Sequence, residues 1–486
     1  MTLNKRHMRS IRANLPFHIS ATMLTMVTLL LFYIFYIAGT GIGAYGDRFF
    51  SDNKLEDATL STYMPMSEKD ISEIEKKYDL TLEKERYINV KEDGYKARVF
   101  VPDSKVDTYE VIRGKDISSD DEILISAGYA EENHVRVGDK IKLSGKKYEV
   151  CGMFLRPDYL YMLENMTDDY KNVTDFFLAY MDKGEFQRQF GGGNCSYKVI
   201  YSDDTDINAF RKYVDKHYFV SNYLPADENM RITFVHEQAD MFITGSWIIL
   251  VVFPFITVAL ISIIIGRKIK SEQKLIGTLS AMGYERGSLM RHYSLMAVIP
   301  GVLGGILTAV FSLILAKPFG MLGLADYEPM QVEFHLPVWV AVSGVVIPTL
   351  IYWCCGMLRV RKLLKRDTVE LLNGTAGNTG SGRRIFVGSR MKVKNKFAVR
   401  TLLGSRGRTL VIFLGIFLGA MIIAFAFSFL DSVKAVGDQA HGEFGSFKYE
   451  YVLDKVKTGT PEEGEAMIMM PYENSKGERI SLTGLD

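Results

Sequence analysis

Five long runs without a charged residue constrain this chain more than any other feature of its sequence. They extend from Ile19 to Gly43, Met241 to Gly266, Tyr293 to Ala316, Val338 to Leu358 and Leu410 to Leu430. A helix needs roughly 20 apolar residues to cross about 30 Å of hydrocarbon, and each run satisfies that requirement. We therefore predict a polytopic α-helical membrane protein with five transmembrane helices.

The first run has an alternative interpretation as a signal peptide, because Lys5, Arg6, Arg9 and Arg12 precede it. Its apolar core exceeds the roughly 7–15 residues of a signal-peptide core, and no small-residue cleavage site follows. We therefore interpret it as a retained membrane anchor.

Basic residues between the apolar runs predict the orientation of the helices. They are concentrated in residues 1–18, 267–292 and 359–409. Positively charged loops remain in the cytoplasm, so these segments are expected inside the cell. The transmembrane helices then comprise residues 19–43, 241–266, 293–316, 338–358 and 410–430. Residues 44–240, the loop 317–337 and the segment 431–486 are expected outside.

Residues 44–240 are long enough to form an extracytoplasmic domain of their own. The stretch "EILISAGYAEENHVRVGDKIKLSGKKYEVCGMF" from Glu122 to Phe154 reads as a strand, a short helix and two further strands, Lys140 to Leu143 and Tyr148 to Met153, joined at Ser144 and Gly145. This pattern predicts a large mixed α/β domain between the first two transmembrane helices.

The external segment carries no recognisable catalytic or metal motif. His134, His217 and His236 are scattered, without an H-E-x-x-H helix or a G-x-S-x-G elbow. Cys151 and Cys195 either pair or remain free, and the sequence leaves both possibilities open. We expect no enzymatic activity and no metal or cofactor in this chain.

A glycine-rich stretch in the last cytoplasmic segment resembles a nucleotide-binding loop only in part. In "GNTGSGRR", Gly377 and Gly382 have the right spacing, but Arg383 and Arg384 stand where a lysine and a hydroxyl residue are required. The composition is typical of a linker. The surrounding basic residues are better explained by topology and anionic membrane lipid than by nucleic acid.

Glycine residues within the apolar runs favour close packing between helices. We predict packing contacts at Gly39, Gly43, Gly304, Gly305, Gly415 and Gly419. Ordinary tolerance of glycine in membrane helices is an equally good explanation.

The short connector "SEQKLIGTLSAMGYERGSLMRHYS", from Ser271 to Ser294, carries an apolar stripe between two membrane helices. Leu275, Ile276, Leu279 and Met282 recur at helical spacing. The stripe fits either a protein partner or the lipid headgroups, because both bind a helix with one apolar face and basic flanks.

A short internal repeat suggests that the chain holds one complete unit and the beginning of a second. "NKRHMRSIRAN" from Asn4 and "NKFAVRTLLGS" from Asn395 share several positions, and each precedes an outward-leading helix. We therefore expect residues 431–486 to begin a second extracytoplasmic domain and the chain to be a fragment of a larger protein.

Taken with this helix order, the connector resembles the FtsX/MacB type of ABC transporter permease. "KLIGTLSAMGYERGSL" is similar to the family signature at Ile276, Gly277, Leu279, Ala281, Met282 and Gly283. "RVGDKIKLSGKKYEVCGM" resembles a segment of the family's MacB-like periplasmic core domain, and "RVRKLLKRDTVELLNG" resembles its exit from the fourth helix. Leu275, Ser280 and Ser294 depart from the charged residues found in the family.

The resemblance implies that the connector is a coupling helix that binds a dimer of separate ABC ATPase subunits, which hold ATP and magnesium. The ATPase-coupling residues would be Leu275, Ile276, Gly277, Leu279, Ala281, Met282 and Gly283. The further partners are membrane lipid and either a second permease copy or a missing C-terminal half. The expected location is a bacterial cell membrane, with the N-terminus in the cytoplasm.

The resemblance leaves two functions open. The first is export or extraction of a lipid, lipoprotein or peptide, driven by ATPase motion that is relayed to the extracytoplasmic domain. The alternative is mechanotransmission or sensing without transport, which regulates a cell-wall hydrolase or signals the presence of an antimicrobial peptide.

The topology can be tested by cysteine labelling in intact cells, in variants whose four native cysteines are replaced by serine. We expect Asp120→Cys to react with a membrane-impermeant maleimide, and Ser271→Cys to react only after permeabilisation, because positive loops remain inside. The reverse labelling pattern would contradict the predicted orientation.

Overall fold

The computed structural model describes residues 15–166, 168, 171–365, 371–372, 467–473 and 479–485, with a few positions between 413 and 428. In chain order, the first elements are α1 (Leu15–Asp52), β1 (Ala58–Thr62), α2 (Glu68–Tyr78), β2 (Leu80–Glu92), β3 (Tyr95–Phe100), β4 (Glu110–Gly114), β5 (Glu122–Ser126), α3 (Ala127–Glu132), β6 (Lys140–Leu143) and β7 (Lys146–Leu155). The next are β8 (Phe176–Met181), α4 (Lys183–Phe190), β9 (Asn194–Tyr201), α5 (Ile207–Tyr218) and β10 (Val220–Pro225). The remaining elements are α6 (Met230–Ser271), α7 (Gln273–Ala281), α8 (Arg286–Gly323), α9 (Val338–Leu364), β11 (Met467–Glu473) and β12 (Arg479–Leu485).

Four of the described helices are long and apolar enough to cross a membrane. The candidate spans are His18–Asp52 in α1, Met230–Ile263 in α6, Arg286–Gly323 in α8 and Val338–Leu364 in α9. The four helices contain the first four apolar runs of the sequence. Most of the fifth predicted helix, including Gly415 and Gly419, lies outside the described residues. The linker at 377–384 and both copies of the internal repeat lie outside them as well.

Small residues bring the membrane helices into close contact. A Cβ atom on Gly305 of α8 would lie 2.7 Å from the carbonyl oxygen of Gly344 and from Cα of Val345, both on α9. A Cβ on Gly304 would lie 2.8 Å from Thr25 of α1, and one on Gly39 of α1 would lie 2.8 Å from the carbonyl oxygen of Ala239 on α6. At Gly43 the same atom would make an ordinary contact, 3.6 Å from Ala239 Cβ.

The residues between α1 and α6 form a mixed sheet of ten strands. The strand order is β10, β1, β9, β2, β3, β8, β5, β7 and β4, and β6 pairs with β7. The pairs β3–β8 and β5–β7 are parallel, and the other pairs are antiparallel. The hairpin predicted from sequence is present: Leu143 pairs with Lys146, and Ser144 and Gly145 both have positive φ, +49° and +89°. Two such residues match the twist of a tight hairpin.

One hydrophobic core joins the sheet to the ends of the membrane helices. It contains Ile42 and Phe49 of α1, Ile232 and Val235 of α6, Met330 and Val332 of the loop between α8 and α9, and sheet residues such as Val99 and Ile125. All of these side chains are at most 9% exposed. The sheet domain is therefore packed onto the membrane helices as well as connected to them by the chain.

Residues 412–486 form a separate unit. Within its described part, β11 and β12 pair antiparallel, with Met467 opposite Leu485 and Glu473 opposite Arg479. This hairpin lies in the segment predicted to begin a second extracytoplasmic domain.

We expect Gly305→Ala to destabilise the helix bundle by about 1–3 kcal/mol, because the added methyl group meets the backbone of α9, which cannot rotate away. Gly43→Ala is the matched control, since its methyl group has room. The measurement is the thermal unfolding midpoint of the full chain in detergent. Equal midpoints for the two variants would show that α8 and α9 are not packed as closely as described.

Candidate functional site

Helix α7 is the short helix predicted to bind a partner. It lies between the membrane helices α6 and α8 and ends at Ala281. Met282 donates its backbone N–H to Thr278, and Gly283 follows with φ +87°. Glycine is the residue that adopts this left-handed conformation without strain, so Gly283 ends the helix and allows the chain to turn toward α8.

The apolar stripe of α7 divides between two environments. Ile276 is fully buried in a cluster with Ile269, Leu289 and Val360 from α6, α8 and α9, and Leu279 packs against the same cluster. Leu275 is half-buried, and Met282 is 70% exposed. Part of the stripe therefore holds α7 against its own bundle, and Met282 is the most exposed of its four members.

Residues 371–372, beyond α9, cover another side of α7. A Cβ on Gly277 would lie 3.0 Å from Leu371 Cβ and 3.1 Å from the backbone nitrogen of Leu372. Leu371 is 1% exposed. Gly277 thus permits a close contact within the chain, which leaves its own position inaccessible to a partner.

An exposed surface remains at the C-terminal end of α7. The exposed residues at this end are Thr278, Ala281, Met282 and Gly283, whereas the neighbouring Leu279 and Ser280 are half-buried. Beside them is an open depression of about 380 Å³, lined by Met282, Gly283, Tyr284, Glu285 and Ser288. An exposed methionine beside a depression can be buried by a protein surface of complementary shape.

A second notable site lies in the sheet domain, where three carboxylates approach one another as metal ligands do. One oxygen from each of Glu56, Asp107 and Asp158 lies within 4.8 Å of the others, and all three residues are buried. The ammonium group of Lys198 is 3.0 Å from each of the three side chains. A cation of the protein itself therefore occupies the position that a metal ion would take.

Arg156 extends this buried ion cluster. Its guanidinium contacts Glu85 Oε1 at 2.6 Å and Asp158 Oδ2 at 2.9 Å, and it donates to the Tyr180 hydroxyl at 3.1 Å. The cluster thus contains two cations and four carboxyl groups, each at most 4% exposed. A buried charge is tolerated only with such partners, because it has lost the stabilisation that water provides.

The excess of carboxyl groups is reflected in their pKa values. Burial raises the pKa of Glu56, and raises that of Asp107 well above its usual range, although Lys198 opposes both shifts. For Asp158, burial also acts to raise the pKa, but the charges of Arg156 and Lys198 outweigh it and lower the pKa. Glu56 and Asp107 therefore bind a proton more readily than they would in water, and each bound proton would reduce the excess of negative charge in the cluster.

The ion cluster joins the end of α1 to the sheet. Glu56 follows α1 closely, and its backbone N–H donates to Asp107 Oδ1 at 2.8 Å. Asp107 donates its own N–H to the Lys54 carbonyl at 3.0 Å, and Thr108 donates to that of Asn53 at 2.9 Å. The first membrane helix is therefore fixed to the domain within a few residues of its end.

Helix α6 is attached to the sheet domain through the segment Pro157–Glu164, which we call the junction segment. Arg231, near the start of α6, donates from Nε to the Leu163 carbonyl at 2.9 Å and from Nη2 to that of Glu164 at 2.8 Å. Tyr161 donates its backbone N–H to Arg231. Because Asp158 belongs to both this segment and the ion cluster, the attachments of α1 and α6 meet there.

The sequence analysis missed both the ion cluster and the junction. A retrospective signal is Lys198 in "SYKVIY", a basic residue flanked by apolar ones within a strand. The sequence left open whether Cys151 and Cys195 form a disulfide. In the structure Cys151 is buried, Cys195 is half-buried, and both are free thiols.

We expect Arg156→Met to lower the free energy of unfolding by about 3–5 kcal/mol, because it leaves buried carboxylates without their partner. Arg113→Met is the control: Arg113 pairs with Glu131 at 3.6 Å, with both side chains at least half exposed, and such surface pairs contribute about 0–1 kcal/mol. Urea unfolding of the full chain in detergent measures both variants. A similar loss in both would contradict the structural importance of the cluster.

Comparison with known protein families finds a match over the part of the chain that contains α7. Residues 247–368 match the family model described as FtsX-like permease C-terminal. They run from within α6, through α7 and α8, to just beyond α9. Among curated proteins, none matches the chain. The family match confirms the resemblance to FtsX/MacB-type permeases.

Proposed function

Because residues 247–368 match the FtsX-like permease C-terminal family model, we propose that this chain is an FtsX-like permease, that it is the membrane subunit of an ABC transporter, and that α7 couples it to a separate ATPase. The observation that carries this proposal is the exposed Met282, beside an open depression at the end of a helix otherwise held against the bundle. A fixed helix with one free apolar end can transmit force from a bound partner.

The proposed coupling residues have different roles. Ile276 and Leu279 fix α7 to the membrane helices, and Gly277 allows residues 371–372 to lie against it. Ala281, Met282 and Gly283 form the accessible end that contacts the ATPase, with Leu275 at its margin. ATP and magnesium belong to the partner, which we propose to be an ATPase dimer.

We propose that motion of the ATPase reaches the sheet domain through the long helices. Helix α6 runs without interruption from Arg231, in contact with the junction segment, to Ser271, two residues before α7. In this arrangement residues 44–240 are outside the cell, and the N-terminus and α7 are in the cytoplasm of a bacterium. Membrane lipid and a second permease unit, in the same or another chain, complete the assembly.

The substrate we propose is a lipid, lipoprotein or peptide that is exported or extracted at the outer surface of the membrane. The buried attachment of both α1 and α6 to the sheet domain also suits a protein that regulates a cell-wall hydrolase or senses an antimicrobial peptide without transport. ATP-dependent release of a labelled lipid or peptide from proteoliposomes separates these functions, since only a transporter produces it.

The coupling proposal predicts that Met282→Asp weakens capture of the ATPase by about 30-fold or more, since losing an interface anchor costs about 2 kcal/mol or more. Co-purification of the ATPase with the full-length permease in detergent measures the loss. Met282 is a sharper test than Leu279, because Leu279 also contacts the buried cluster of the bundle.

Lys270→Glu is the control for charge, since Lys270 is exposed near the end of α6 and a screened surface charge contributes about 0–1 kcal/mol. If α7 instead lies on lipid headgroups, the ATPase remains bound in Met282→Asp, and the basic flanks matter as much as the apolar residues for membrane contact. Undiminished capture by Met282→Asp would therefore refute the proposed coupling surface.

A further inference from the structure

The loop between α8 and α9 is inserted into the base of the sheet domain. Glu328 donates its backbone N–H to the Leu160 carbonyl of the junction segment at 2.9 Å. The Tyr327 hydroxyl donates to the Phe234 carbonyl of α6 at 2.8 Å. Met330 and Val332 lie in the hydrophobic core that the sheet shares with α1 and α6. The loop is thus a third attachment of the membrane helices to this domain.

The side chain of Glu328 is enclosed at this contact. The residue is 2% exposed, and its Oε2 accepts the backbone N–H of Gly128 at 2.7 Å. Its Oε1 is buried and has no hydrogen-bond partner among the described residues. A Cβ on Gly128 would lie 3.0 Å from Glu328 Cδ, so glycine at this position leaves room for the carboxyl group.

Charged groups around Glu328 do not form an ion pair with it in the described part of the chain. The facing groups are Glu131 on α3, Lys171 beyond the junction segment, Asp326 on the loop itself and Glu237 on α6, which faces Tyr327. Lys171 pairs instead with Asp326, at 3.4 Å. An ionised Glu328 would therefore be a buried charge that faces only the backbone N–H groups of Gly128 and Ala127 and has no counter-ion among the described residues, which is an unfavourable state.

We propose that Glu328 is a positioning residue that docks the α8–α9 loop on the sheet domain in its uncharged form, so that deprotonation releases the loop. This regulation is independent of the proposed coupling to an ATPase, because every contact that carries it lies within this chain. It adds to the proposed function a dependence of the membrane-to-domain attachment on pH.

The direction of the pH dependence follows from the burial of the carboxyl group. Burial raises the pKa of Glu328 from 4.5 to about 8 in the docked state. A group with a raised pKa stabilises the docked state fully below its undocked pKa, and this contribution is lost as pH rises toward the docked value. The ratio of docked to undocked loop should fall up to about tenfold per pH unit over this interval and level off above it.

Hydrogen–deuterium exchange of the full chain in nanodiscs tests this proposal without ATPase. The peptides to follow cover residues 127–132 and 317–337, at unit steps between about pH 5.5 and about pH 8.5. Glu328→Gln keeps the shape and the acceptor for Gly128 but cannot ionise. The ratio of exchange in the wild type to exchange in Glu328→Gln cancels the intrinsic effect of pH on exchange chemistry.

We expect this ratio to rise with pH, by up to about tenfold per unit. Glu333→Gln is the matched control in the same loop, since the Glu333 side chain is 80% exposed, and it should retain the wild-type profile. Gly128→Ala should displace the carboxyl group and give rapid exchange in the loop at every pH. A constant ratio for Glu328→Gln, or an unchanged loop in Gly128→Ala, would overturn the proposal.

Discussion

The buried ion cluster imposes the geometry on which the attachment of the sheet domain depends. Arg156 and Lys198 are shielded from water and are surrounded instead by four carboxyl groups. The two buried charges are stabilised only while all six side chains keep their positions. Hydrophobic contacts tolerate small shifts, whereas a desolvated charge loses most of its stabilisation when its partner moves away. Because Glu56 lies just beyond α1 and Asp158 lies in the junction segment, this requirement extends to the connections with the membrane.

The junction segment concentrates these connections in eight residues of chain. Asp158 belongs to the ion cluster, Leu160 accepts a hydrogen bond from the α8–α9 loop, and Leu163 accepts one from Arg231 of α6. Residues 157–163 are all buried. Movement of α1, of α6 or of the α8–α9 loop therefore acts on the same short segment. This shared contact gives the sheet domain a physical means of responding to the membrane helices together.

Sequence reasoning succeeded where the local pattern carries the information. A run of apolar residues predicts a membrane helix on its own, and "KLSGKK" predicts a hairpin because its turn needs two residues with positive φ. The ion cluster could not be found in this way, since its members come from distant positions such as Glu56, Asp107 and Lys198. Each resembles an ordinary surface charge until the fold brings them together. In α7, spacing identified an apolar stripe but could not show that Ile276 faces the protein's own bundle and Met282 faces outward.

The length of α6 has a mechanical consequence. Its 42 residues span about 63 Å at 1.5 Å per residue, roughly twice the hydrocarbon thickness of a membrane. The helix is continuous although Pro254 lies within it, and a helix of this length acts as a lever: a tilt of about 5° about one end moves the other end by about 5 Å, which is close to the rise of one helical turn. Small rotations near α7 would therefore be converted, by length alone, into displacements at Arg231 large enough to exchange one set of side-chain contacts for another.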